Sequence, residues 1–236
     1  MISVMFQELR ELQDVVVHPG ADAQAVYRCE TESSFRLPID HKKLLFSSNG
    51  IEAYAGYLRL FGLYTAEASD AVRWNQEDYW KFAWGDRCAG YWCFAETAWG
   101  DQFAYRMESL RKGRDETVFF LDSMSMMPEV VASSFCEFLE KEFIRTAKVP
   151  YDALLSSARQ KFGPIELGTH LVYAPSVLLG GSEDIRNVIR MNARAAMICN
   201  GDIAEQLDAG PLDRTIKALL PYVDNKQRQR IRLVWE

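Results

Sequence analysis

No CxxC pair, long apolar run, run of like charge or low-complexity tract occurs in this chain of 236 residues. Each absence removes a class of protein. Five cysteines (Cys29, Cys88, Cys93, Cys136 and Cys199) are odd in number and irregular in spacing, so they read as free thiols packed as small apolar groups in a reducing cytosol. No stretch approaches the roughly 18 apolar residues of a membrane span. The N-terminus has no basic region ahead of a long apolar segment, so no signal peptide is expected and the reading is cytoplasmic. Only 14 Gly and 8 Pro exclude collagen-like or linker-rich chains. The three histidines (His18, His41 and His170) stand far apart, and none sits in HExxH or at zinc spacing from a cysteine. Neither GxxxxGK[ST] nor GxGxxG occurs. Gly180-Gly181-Ser182 is not a nucleophile elbow, and Ser182 is expected instead to cap a short helix with Glu183 and Asp184 at its start. No catalytic residue, metal site or cofactor follows from these patterns.

Aromatics, by contrast, are plentiful: 13 Phe, 10 Tyr and 6 Trp, which excludes disorder. The net charge is −6, which argues against nucleic acid or an anionic membrane as partner. That charge is unevenly spread. Residues 1–148 hold 23 Asp+Glu against 16 Lys+Arg, whereas 149–236 hold 10 against 11. A macromolecular partner of the acidic part is therefore expected to be basic.

Met5, Leu9, Leu12, Val15 and Val16 at spacings of mostly three and four predict an amphipathic helix ended by His18-Pro19-Gly20. A polar stretch runs on to Glu32. After Pro38 a short helix follows, with Ile39, Leu44, Leu45 and Phe46 as its apolar side, closed by Asn49-Gly50. Aromatic runs at 57–63, 79–84, 91–95, 102–107 and 117–121, broken by Gly and Asp, read as a strand meander. Ser134 and Glu137 form a capping box that opens a helix over 134–146. Beyond it the pattern predicts a helix over 151–162, a strand within 167–175 and a buried run at 176–181. A strand at 187–192, a helix over 193–207 with an irregularity at Asn200-Gly201, and a hairpin over 215–235 follow. The fold class expected is α+β: a mostly antiparallel curved sheet of five or six strands with helices packed on one side, plus a C-terminal α/β extension ending in a β-hairpin. Residues 1–148 form the first domain, and 149–236 an extension that is either separate or part of the same globule, with Lys148-Val149-Pro150 as the joint.

The aromatic-acidic middle supplies the candidate surface. Tyr79-Trp80 and Tyr91-Trp92-Cys93-Phe94 do not alternate, so both faces of the sheet carry large side chains. The second face is then either covered by a helix or used for binding. The residues assigned to partner contact are Trp84, Asp86, Tyr91, Trp92, Trp99 and Asp101.

Phe35-Arg36-Leu37-Pro38, Lys43-Leu44-Leu45-Phe46, Asn49-Gly50, Trp84-Gly85-Asp86 and Gly100-Asp101 together resemble the SUKH superfamily over about residues 5–145. Ile51 stands where that pattern has a small residue, and the chain is longer than such a domain. Lys161-Phe162-Gly163-Pro164, Tyr173-Ala174-Pro175 and Leu178-Leu179-Gly180-Gly181 resemble the C-terminal part of some type VI secretion immunity proteins. The resemblance implies a non-enzymatic immunity protein that binds and occludes a cognate, basic bacterial toxin. A regulatory scaffold of the yeast cell-wall synthesis type is the alternative it leaves open, and an enzyme or small-ligand binder would require a carboxylate pair or a His–Asp pair to meet in an aromatic pocket. Oligomeric state does not follow from sequence.

Overall fold

A computed structural model describes residues 1–65, 70–113, 116–149, 153–211, 213 and 215–236. Helix α1 (Ile2–Glu11) buries Ile2, Met5 and Leu9, as its spacing predicts. It stops sooner than expected, because Val15 and Val16 lie past Asp14, whose φ is +58°. The β-branched pair Val16–Val17 instead forms strand β1, paired with Glu52 and Ile51. The polar stretch before Glu32 is a helix too, α2 (Ala23–Ser33), capped by Asp22, whose carboxylate accepts from Ala25 N at 2.6 Å. Its apolar stripe is only Val26 and Cys29, completed by the buried Glu30, which accepts from Leu37 N and from the side chains of Arg36 and Lys42. A carboxylate at an inward position hid the helical period. Helix α3 (Ile39–Ser47) follows Pro38 and buries His41, Leu44 and Leu45, while Ile39 and Phe46 face solvent.

One antiparallel sheet of seven strands then forms in chain order: β1, β2 (Ile51–Ala53), β3 (Leu58–Leu60), β4 (Tyr91–Thr97), β5 (Gln102–Arg106), β6 (Val118–Leu121) and β7 (Pro128–Ala132). Helix α4 (Ala71–Trp74) and the 3-10 turns Lys81–Ala83 and Gly85–Arg87 occupy the β3–β4 connection. The strand expected at 79–84 is thus not formed. The buried Lys81 fixes that segment in a turn by donating to Asn75 Oδ1 at 2.9 Å and Tyr91 O at 2.6 Å. Helix α5 (Met107–Lys112) joins β5 to β6.

The helix opened by Ser134 runs as α6 (Phe135–Phe138), a π-helical stretch (Leu139–Ile144) and α7 (Arg145–Lys148). Ser134 Oγ accepts from Glu137 N at 3.2 Å, but the Glu137 carboxylate reaches back to Ser133 N at 2.8 Å rather than to Ser134 N. Next come α8 (Ala153–Phe162), β8 (Thr169–Tyr173), β9 (Val188–Asn192), α9 (Ala193–Ala209), β10 (Ile216–Val223) and β11 (Gln229–Trp235). The start of the helix expected at 151 lies outside the described residues, as does Pro150. Residues 176–181 make a half-exposed 3-10 turn, not a buried run. Asp184 rather than Ser182 caps the turn that follows, accepting from Arg186 N at 2.8 Å.

β8–β9 and β10–β11 are separate two-stranded sheets. The hairpin β10–β11 does not join the main sheet. It docks on α9, where Asp202 accepts from Ile231 N at 2.7 Å and Gln206 bonds both Ile231 O (2.8 Å) and Leu233 N (2.9 Å). Asn200-Gly201 does not interrupt α9. Gly201 is there because a Cβ would sit 2.7 Å from Ala83 O and 2.9 Å from the Trp84 ring.

Both faces of the sheet are covered. On one, Trp92, Phe94 and Tyr105 pack with α3 and α6: His41 stacks on Phe135 at 4.4 Å and hydrogen-bonds the Tyr105 hydroxyl at 3.2 Å. On the other, Arg59, Glu96 and Gln102 meet Trp74, His170 and the carbonyls of Glu166 and Thr169, while α9 covers Trp84.

Two outcomes follow. Gly201→Ala improves helix propensity by about 1 kcal/mol, yet should lower the melting temperature, because backbone and indole block the added methyl. Burial lowers the His41 pKa to about 3 from 6.5. The unfolded chain therefore binds a proton below pH 6.5 that the folded chain refuses, and stability falls with pH. The loss between pH 7 and 5 is about 2 kcal/mol from this group. Urea titrations at the two pH values should differ by that much more in the natural chain than in His41→Leu.

Candidate functional site

The six residues assigned to partner contact divide into three groups. Trp84, Tyr91 and Trp92 are buried, with relative exposures of 0%, 9% and 3%. They are core, because helices close over both faces of the sheet. The Trp84 indole donates to Met197 O of α9 at 2.9 Å. Trp92 packs edge-on to Phe35 on the opposite face, and Tyr91 lies edge-on to Phe119. Asp86 is exposed in the Gly85–Arg87 turn. Its neighbour Arg87 is already paired with Glu205 at 2.9 Å and Asp208 at 2.5 Å.

Trp99 and Asp101 remain, and they come together. The β4–β5 turn holds them, and Gly100 between them has φ +89°. A Cβ at Gly100 would lie 2.9 Å from His170 Nδ1, so only glycine lets β8 approach the turn so closely. Trp99 stacks on Tyr173 with ring centroids 5.6 Å apart and 12° between planes. Asp101 accepts from the Thr97 hydroxyl at 2.7 Å and from Ser123 N at 3.0 Å. Burial pushes its carboxyl pKa up.

Two adjoining hollows of about 320 and 210 Å³ share Trp99, Asp101 and Phe120. Thr146 and Glu142 of the helix over 135–148, Phe103 and Leu155 complete the first. The second is completed by Asp122, Tyr173, Leu154 and Asn200. Asp101 lines both hollows, Glu142 the first and Asp122 the second, so the two together form a groove with three carboxylates and aromatic walls, and among the described residues neither hollow is lined by Lys, Arg or His. Asp122 uses Oδ1 to accept from Met124 N and Ser125 N at the start of its turn. Among the described residues, no hydrogen bond or ion pair engages the Glu142 carboxylate. Such a groove suits a cation: the carboxylates supply charge and the ring faces a quadrupole. Sequence reasoning reached Trp99 and Asp101 but not Asp122, Glu142 or Tyr173. Those three come from distant segments, and no spacing links them.

A second constellation was also invisible in the sequence. Arg59 donates to Glu96 Oε1 at 2.9 Å, and His170 Nε2 lies 2.9 Å from Glu96 Oε2. The same guanidinium reaches Thr169 O at 3.1 Å and Glu166 O at 2.9 Å. Gln102 bridges Gly100 O at 2.9 Å and the Trp74 indole at 2.7 Å. Burial pushes the Glu96 carboxyl up, but His170 and Arg59 more than reverse this and leave it below the ordinary carboxylate value. The His–carboxylate pair meets the general form of an acid–base site. All three side chains are at most 3% exposed, however, so the set is closed to a substrate and serves to hold residues 165–170 on the sheet.

The family model described as SMI1 / KNR4 family (SUKH-1) matches residues 20–141, just over half of the chain. The chain belongs to the SUKH family. The matched region of this SUKH protein contributes Trp99, Asp101, Phe120 and Asp122 to the groove, while Glu142, Leu154, Leu155 and Tyr173 lie beyond it. No curated protein matches the chain. Among solved structures it is similar to the crystal structure of Atu4351 from Agrobacterium tumefaciens, with a TM-score of 0.53 and 10% identity over 94% of each chain. That likeness concerns the fold, and it extends past the SUKH region into the residues that follow. No described helix is long and apolar enough to cross a membrane.

Breaking the buried set tests its structural role. Glu96→Gln leaves Arg59 without its counter-charge and should destabilise the fold by about 3 kcal/mol or more. The stabilisation Glu96 provides is present above the unfolded carboxylate value of 4.5 and is lost as pH falls through its lower folded value. Chemical denaturation at pH 7 and pH 3.5 should accordingly show a smaller difference between variant and natural chain at the lower pH.

Proposed function

We propose that this SUKH protein is a non-enzymatic, cytoplasmic immunity protein that binds a cognate bacterial toxin and occludes its active site. The supporting observation is the groove around Trp99: three carboxylates, stacked aromatic rings and no cation in its described lining. A Lys or Arg of a basic toxin surface would enter it, lie against the Trp99 and Tyr173 rings and meet Glu142 and Asp122. Family membership supports a protein–protein role, since SUKH domains are generally non-enzymatic immunity proteins. Carboxylates do meet beside aromatic rings here, as an enzyme would require, but Asp101 and Asp122 are occupied by Thr97, Ser123, Met124 and Ser125 in their turns. In this reading the surface supplies shape and charge, and no bond is made or broken. The acidic balance of residues 1–148 would draw a basic partner in during encounter.

The experiment is a binding measurement against the product of the neighbouring gene, expressed as an inactive mutant, with co-expression of the active form as a growth assay. A stoichiometric complex and restored growth are expected. Trp99→Ala should weaken affinity by about 30-fold, the scale of an interface hot spot of about 2 kcal/mol. Glu142→Lys should slow association and reduce its salt dependence while leaving the melting temperature unchanged. If neither variant alters binding, the groove is not the contact. Retrieval of endogenous envelope-synthesis proteins instead of a toxin would favour a regulatory scaffold of the SMI1/KNR4 kind.

A further inference from the structure

A cleft of about 660 Å³ opens between α9 and the β10–β11 hairpin and shares no lining residue with the groove around Trp99. Ala195, Ile198 and Cys199 line it from α9, and Pro221, Tyr222 and Ile231 from the hairpin. Its charged lining consists of Arg194 and Arg230, with no carboxylate among the lining residues. Arg230 is already balanced by Asp202 and, at 3.8 Å, by Asp224. Arg194 is not. Its Nε donates to Tyr79 O at 2.6 Å and its guanidinium lies 5.3 Å from the Tyr79 ring centre, but no carboxylate pairs with it among the described residues.

The hairpin carries the same sign, and the three carboxylates of α9 are engaged elsewhere: Asp202 with Arg230, and Glu205 and Asp208 with Arg87. Residues 215–236 hold five Lys+Arg against two Asp+Glu in a chain of net −6. The apolar surface also continues past the cleft. Along β10, Tyr222 and Val223 of the cleft lining are 40% and 58% exposed, and Leu219 and Leu220 beyond it are 42% and 44% exposed. That extension exceeds what a compact small molecule covers and suits a length of polypeptide. Pro221 has no N–H, so the outer edge of β10 is a poor template for adding a strand. Docking is therefore by side chains entering the cleft.

We propose that this cleft docks a segment of a partner protein in which an apolar side chain is flanked by carboxylates. The apolar group fills the space between Ile198 and Tyr222, and a carboxylate pairs with Arg194. The proposal does not depend on the toxin reading, because the two surfaces are separate and opposite in charge.

The test uses the full chain and two fluorescein-labelled amphipathic 14-residue peptides that share their Leu positions, one with Glu and one with Lys elsewhere. Anisotropy should show the Glu peptide binding more weakly as salt rises, and at least about tenfold more tightly than the Lys peptide. Arg194→Glu should reverse that preference. Arg194→Gln, which retains a donor for Tyr79 O, should weaken the Glu peptide about tenfold. Trp99→Ala should leave it unaffected, which separates this site from the toxin groove. Failure of the Glu peptide to bind, equal binding of the two peptides, or indifference to both Arg194 variants would overturn the proposal. Displacement of the peptide by octanoate at equal concentration would do so as well, by making the cleft a small-carboxylate pocket.

Discussion

A buried ion pair decides how the two parts of this chain are joined. Glu96 on β4 and Arg59 on β3 are desolvated by the aromatic side chains and helices around them, a condition tolerable only if the charges neutralise each other and most of their hydrogen-bonding groups find partners; Arg59 Nε and His170 Nδ1 stay without one. The sheet cannot meet it alone. Arg59 extends its fork to the carbonyls of Glu166 and Thr169, and His170 occupies the second oxygen of Glu96. Residues 166–170 thus complete the hydrogen bonding of an ion pair inside the main sheet. The cost of leaving the second oxygen of Glu96 and the outer N–H groups of Arg59 without partners holds β8 against the β4–β5 turn.

The groove around Trp99 is a consequence of that clamp. With β8 held beside the turn, Tyr173 stacks on Trp99, and Gly100 permits the approach. Asp101 stays occupied with Thr97 and Ser123 and acts mainly to shape the turn, whereas Glu142 has its carboxylate unengaged among the described residues. The division of labour is physical. A carboxylate whose oxygens already accept two hydrogen bonds has less left to offer a partner than one that has none.

The charge asymmetry along the chain becomes a spatial one. The groove where β4–β6 meet the helix over 135–148 is lined by carboxylates and no described cation, and the cleft where α9 meets the hairpin is lined by Arg194 and Arg230 and no carboxylate, although Asp202 and Asp224 beside it neutralise Arg230. A molecule with net charge −6 can therefore present surfaces of both signs, each selective for a different complement. Net charge describes long-range attraction and is silent about such local patches.

Much of the architecture was legible in the residues themselves. Turn chemistry at Gly100-Asp101 and Gly113, aromatic runs of about five residues and the Ser134 cap identified the antiparallel meander and its following helix, because these depend on short-range backbone preferences. Helix α2 was missed since Glu30 takes an inward position normally held by an apolar residue, and 79–84 was misread since its aromatic run folds as a turn around Lys81. The candidate site was only half readable: Trp99 and Asp101 stood out by type, but Trp84, Tyr91 and Trp92 looked the same. An aromatic side chain is chemically suited to a core and to an interface alike. What separates them is whether another element covers it, and for Trp84 that element is α9, more than a hundred positions further along the chain. Local preferences determined the elements and their order; contacts across the whole length decided which side chains are core, which charges are paired and where a partner can reach.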